Sequence, residues 1–139
     1  MESDPFNLAR FADAQNAAYE HAVAELRRGR KTGHWMWFVF PQIAGLGQSV
    51  TSRHYAITSL AEAQAYLDHP VLGPRLRECA SVLVETPGGA EQIFGGIDAL
   101  KLRSSMTLFQ HADPGEPLFR QVLDLYFDGA ADPATEQRL

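Results

Sequence analysis

The chain has 139 residues, about the length of one domain, and its 45% hydrophobic and 21% charged content is ordinary globular usage. That composition excludes a disordered, collagen-like or low-complexity chain, and a net charge of −5 argues against broad binding to nucleic acid or anionic membranes. In chain order, Asp4-Pro5 pairs an N-cap acceptor with a proline at the first helical position. It predicts a first helix from about Pro5 to Arg28, whose apolar face carries Leu8, Phe11, Gln15, Tyr19, Val23 and Leu26. Gly29 suits its C′ position, with Arg27 and Arg28 at the negative end of the dipole. Ser59 and Glu62 stand at capping-box spacing before a helix from Leu60 to Asp68. Another helix is expected from Pro74, or as early as Pro70, to Glu85, closed by the turn Pro87-Gly88-Gly89. Ala90–Phe94 reads as a short piece, and a further helix starts near Asp98 and turns Leu102, Met106 and Phe109 inward. Asp113-Pro114, with Glu116 three residues on, predicts a helix from Pro114 to Asp128, ended by Gly129, and Asp132-Pro133 predicts a short tail helix. No sustained alternation and no βαβ pattern appears, so the expected fold is all-α: a single multihelical domain of about six to eight helices spanning residues 1–139.

The opening Met-Glu-Ser-Asp-Pro has neither the basic nor the apolar region of a secretory signal. The longest apolar run, Trp35 to Phe40, is far short of the roughly 20 residues that span a bilayer. Cys79 is the sole cysteine, which excludes an internal disulfide and points to a reducing, cytoplasmic setting, with the thiol packed in a helical stripe of Leu72, Leu76, Ala80 and Leu83.

One segment departs from the average. Arg27, Arg28, Arg30 and Lys31 place four of the chain's twelve basic residues in five positions. Trp35, Trp37, Phe38 and Phe40 then crowd four aromatics into six residues, followed by Pro41-Gln42 and the glycines Gly45 and Gly47. Taken one at a time, these features read as a solvated helix end, a buried short helix or strand, and a turn. Taken together they suit a nucleotide-like anion. Arg30 and Lys31 would neutralise phosphate, Trp37 and Tyr55 would stack on or line a planar ring, and glycine lets backbone N–H groups approach a ligand. Gln42 and His34 would fix polar edges.

On a later helix Lys101 and Ser105 share a face at i and i+4, where Lys101 either meets a ligand phosphate or stays at the surface. Gln15, on an apolar stripe, either caps a loop carbonyl or contacts the pocket, because a buried amide must be paired. No P-loop and no GxGxxG occurs, so no cofactor is expected. The histidines His21, His34, His54, His69 and His111 show no metal-ligand spacing, so no metal is expected either. Ser104 and Ser105 have no identifiable base, and no catalytic residue stands out.

The stretches DPFNLARFADAQ, GRKTGHWMWFVFPQIAGLGQS, YAITSLAEAQAYLDHPVLGPRLREC, IFG and KLRSSMTLF resemble the bacterial family termed domain of unknown function 1810 across nearly the whole chain. The resemblance implies a mainly helical fold and no activity. Around Phe40-Pro41 and Ser52-Arg53-His54-Tyr55 the order of features is similar to the NADAR family, linked to ADP-ribose and N-glycosidic bond cleavage. The acidic residue that family places before its His-Tyr pair is Arg53 here, a departure that bears on hydrolysis more than on binding. The expectation is therefore a protein that binds a small nucleotide-like or ADP-ribose-like anion, with or without N-glycosidic hydrolysis. The alternative is a non-enzymatic protein-interaction module with the aromatic block in its core.

Overall fold

The structure is a computed structural model and describes residues 4–86 and 88–139. Residues 1–3 of the opening stretch and Pro87 of the expected 87–89 turn lie outside it. Among the described residues the fold is all-α. Its helices are α1 (Ala9–Arg28), α2 (Met36–Val39), α3 (Val50–His54), α4 (Leu60–Asp68), α5 (Leu72–Glu85), α6 (Ala90–Phe94), α7 (Gly96–Ala112), α8 (Pro117–Phe127) and α9 (Pro133–Glu136). The one extended feature is an isolated parallel bridge between Ile43 and Ile57.

The caps explain most boundaries. Ser59 accepts from the Glu62 amide, and Asp132 accepts from the Thr135 amide with Pro133 in the first turn, as their spacing predicts. Gly29 is left-handed at φ 75° and closes α1. The start of α1 is later than expected because Asp4-Pro5 forms a separate turn and Asn7 is left-handed at φ 52°. The Asp4 carboxylate still serves the helix, reaching over that turn to the amides of Leu8 at 2.8 Å and Ala9 at 3.0 Å. Asp113 caps no helix. Pro114-Gly115 makes a turn in which the Glu116 amide donates to the Asp113 carbonyl, and α8 begins at Pro117, a second proline suited to the first position. Glu116 turns its carboxylate to Arg77 at 2.9 Å rather than to a cap. At the far end Asp128 is already left-handed at φ 53°, so α8 stops one residue earlier than expected.

Helix α7 is central and packs against α4, α6, α8 and α9, while α1 lies against α2 and α5. The core runs through Phe11, Trp35, Phe40, Tyr66, Phe109 and Phe119 without interruption. Cys79 is buried within it, and the lost hydration pushes its thiol up to about 12. Two buried polar devices fasten the Arg27–Tyr55 segment to this frame. Arg10 pairs with Glu62 at 2.7 Å and donates to the carbonyls of His54 and Ala56 at 2.8 and 2.9 Å, fixing the end of α3. Gln15 donates to the Phe38 carbonyl at 2.6 Å and to the Tyr66 hydroxyl at 2.9 Å, so it satisfies a carbonyl within α2, in place of the loop carbonyl expected, and pins that helix.

Candidate functional site

The aromatic block is divided by the local helix. In the turn Met36–Val39 the neighbours Trp35, Met36, Val39 and Phe40 point into the core, each 2% exposed or less. Trp37 and Phe38 take the opposite side and remain half-buried. Trp35 meets Phe40 and Phe94 at centroid distances of 6.2 and 6.4 Å. Its indole N–H donates to Glu25 at 3.1 Å. The same Glu25 oxygen accepts from the amides of Thr32 at 2.5 Å and Gly33 at 2.7 Å, so the loop after α1 is wound around one buried carboxylate. Burial would raise the Glu25 carboxyl, and these N–H donors outweigh it, holding the group below its ordinary value.

Trp37 stands between two clefts. The smaller, about 160 Å³, is bounded by Trp37, Gln42, Tyr55 and Thr58, with Gly45 and Gly47 at its edge. The larger and more open, about 360 Å³, is bounded by Trp37, Lys31 and His34 on one side and by Gly95, Gly96 and Asp98 at the start of α7 on the other. The Trp37 indole N–H is buried and has no hydrogen-bond partner among the described residues. A buried indole N–H usually finds one, and an unpaired buried donor costs about 1–3 kcal/mol. Lys101 Nζ lies 4.6 Å from the Trp37 ring centre, a cation–π contact across the ring.

The charges are shared around Asp98. Lys31 Nζ is 2.8 Å from one of its oxygens, and Lys101 Nζ is 3.5 Å from the other. Two ammonium groups thus divide one carboxylate, leaving a local excess of positive charge beside Trp37. Lys31 is further held by the Gly33 carbonyl at 2.5 Å, and its amide donates to Ile93 at 2.7 Å.

The residues expected from sequence are brought together in part. Trp37, Gln42 and Tyr55 share the smaller cleft, and Lys31, His34 and Trp37 share the larger. Lys101 reaches Trp37 from α7 but bounds neither cleft. Arg30 is exposed and also bounds neither. Ser105, one turn beyond Lys101, is fully buried with its hydroxyl unpaired among the described residues. Tyr55 packs on Phe38 at 5.5 Å and Phe11 at 5.8 Å, and exposed His54 meets it edge-on at 4.6 Å. Sequence reasoning missed Asp98 as a site residue, because its only local signal was a helix start. Gly47, named there as a turn or a close approach to a ligand, instead lets the chain approach α3, since a Cβ would lie 2.5 Å from that of Ser52. Among the described residues no cluster of three or more His, Cys, Asp or Glu could hold a metal ion, and no helix is long and apolar enough to cross a membrane.

Residues 5–139 match the family described as "Protein of unknown function (DUF1810)". The chain belongs to that family. Its structure is similar to the crystal structure of the conserved hypothetical protein Rv1873 from Mycobacterium tuberculosis, with a TM-score of 0.96, 52% sequence identity and 98% of each chain covered. No curated protein matches the chain. The DUF1810 fold therefore comes with no activity attached, and the function has to be argued from the site.

Larger surface grooves exist, and in one of them two long polar side chains are already engaged. In a groove of about 730 Å³ beside α6 and α8, Arg103 donates to the carbonyls of Ala130 and Ala131, and Tyr126 donates to those of Leu83 and Thr86. Beside Trp37, by contrast, the buried indole N–H is unpaired among the described residues.

Proposed function

We propose that this DUF1810 protein acts as one helical domain that binds a small nucleotide-like or ADP-ribose-like anion in the two clefts flanking Trp37. The observation that carries the reading is the position of the Trp37 indole. It forms a wall common to an aromatic–amide cleft and a lysine-bearing cleft, and its own buried N–H has no partner among the described residues. A ligand with a planar ring and a phosphate-bearing tail has both halves of that chemistry. The ring would lie against Trp37 and Tyr55. The tail would meet the positive excess around Lys31, Lys101 and Asp98, with His34 at the rim. Arg30 is outside this arrangement and is left to solvent.

The reading is binding rather than hydrolysis. None of the residues bounding the smaller cleft is a carboxylate, and Asp98 in the larger one is engaged by two lysines, so neither offers a free carboxylate as general base, and His34 on the larger cleft is the one imidazole placed to take that role. We place the protein in the reducing cytoplasm, in keeping with a lone cysteine buried in the core.

A thermal-shift panel of ADP-ribose, NAD, nucleotides and nucleosides tests this. A ligand at 100 times its Kd adds about 2.7 kcal/mol, a rise of roughly 8 °C for a domain of this size. Trp37→Ala is expected to fold and to abolish the shift. A melting temperature unmoved by every compound at millimolar concentration removes the reading. If Trp37→Ala unfolds the protein instead, the interaction-module alternative, with the whole aromatic block as core, takes its place.

A further inference from the structure

The two clefts differ in a way that divides the ligand between them. Charge is concentrated in the larger one. The smaller one is bounded by a single charged residue, Arg53, which is exposed and donates to the side-chain amide oxygen of Gln48 at 3.4 Å. At about 160 Å³ it is also below the roughly 300–1,000 Å³ of a site for a whole drug-sized ligand, so it fits one ring system.

Gln42 is the polar group best placed to read that ring. Its backbone is fixed, since its carbonyl accepts from the Ile57 amide at 2.9 Å while the Ala44 amide donates to the Ile57 carbonyl at 2.8 Å. The Ile43–Ile57 bridge thus sets the residue on a rigid strip between α2 and α3. Its side-chain amide, with an acceptor oxygen beside a donor nitrogen, is half-buried at the cleft and engages no described residue. Gln42 thus presents an unpaired amide oxygen and nitrogen side by side on a fixed stretch of backbone.

We propose that the smaller cleft takes the phosphate-free planar end of the ligand and that Gln42 determines specificity there, pairing with an edge that offers one donor beside one acceptor. The amino edge of adenine and the carboxamide of a nicotinamide ring both have that edge. This inference rests on the nucleotide-binding reading above and adds which end goes where and which residue selects it.

Isothermal titration of the full chain with ADP-ribose, nicotinamide mononucleotide and ribose 5-phosphate tests it. ADP-ribose or nicotinamide mononucleotide is expected to bind at least about tenfold more tightly than ribose 5-phosphate, the size of discrimination a bidentate amide contact supplies. Whichever of the two does so identifies the source of the edge. Gln42→Leu should erase that preference and leave ribose 5-phosphate affinity and the melting curve unchanged, and Gln42→Glu should also erase it while its added negative charge weakens binding of all three anions. Glutamate keeps the shape and loses the donor, so its failure separates hydrogen bonding from packing. Equal affinity for all three ligands in the wild type, or a preference that survives both substitutions, overturns the role of Gln42 and leaves the nucleotide reading standing. Absence of binding by all three overturns that reading and this inference with it.

Discussion

Adjacent residues in this chain have opposite duties, and the difference is set by which side of one helical turn they leave. Trp35 is closed into the core with its N–H spent on Glu25, whereas Trp37 is half-buried between two clefts with its N–H unspent. Asp98 has a comparable dual character, because it orients Lys31 and Lys101 and also cancels part of their charge. Asp98→Asn should leave the lysines in place by packing and hydrogen bonding while unmasking their charge. Affinity for an anionic ligand is then expected to rise by about 3- to 10-fold at low salt, with the gain shrinking as ionic strength screens it. Titration at two salt concentrations checks this. At this scale the sequence was informative where the chemistry lies within one segment, as for Trp37, Gln42 and Tyr55. Asp98 could not be read, because its partners lie one turn away in α7 and more than sixty positions back at Lys31, a pairing only the fold creates.

At the scale of elements, the loop between α1 and α2 is held by Glu25, and that loop carries Lys31 and His34 to the larger cleft. The Glu25 carboxyl is held below its ordinary value of 4.5. A carboxylate with a depressed folded value contributes stability that is fully present above the unfolded value and is lost as pH falls through the folded one. Glu25→Gln should therefore cost about 2–3 kcal/mol at neutral pH, since three N–H donors lose a charged acceptor. The difference from wild type should hold constant through neutrality and narrow in acid. Denaturant melts between pH 3 and 8 measure it, and a difference independent of pH would mean that Glu25 acts by packing alone.

The longer helices were legible because caps and three- to four-residue periodicity survive in the sequence, as at Ser59 before α4 and Gly29 after α1. Helices α2 and α3 are too short to show a period, and α2 is apolar almost throughout. The start of α8 was misplaced because prolines at 114 and 117 offer two equivalent first positions, and only the Glu116–Arg77 pair chooses between them. The Glu25 latch left no signal at all, since two of its three donors are backbone amides and any residue supplies those.

Across the whole molecule, a chain of net charge −5 holds a small positive region beside one indole, on a frame built around one continuous apolar core. Global charge therefore disfavours polyanions while local charge favours a small anion, a combination suited to a discrete ligand and not to an extended nucleic acid. The most direct test uses the chain's two tryptophans as probes. Titration of ADP-ribose into the native protein should give a saturable change in tryptophan fluorescence, arising from Trp37 at the cleft wall. Trp37→Phe, which keeps Trp35 in the core, should fold with a similar melting temperature and lose the change. A fluorescence change that persists in Trp37→Phe, or a native signal unaltered at millimolar ligand, would contradict the account.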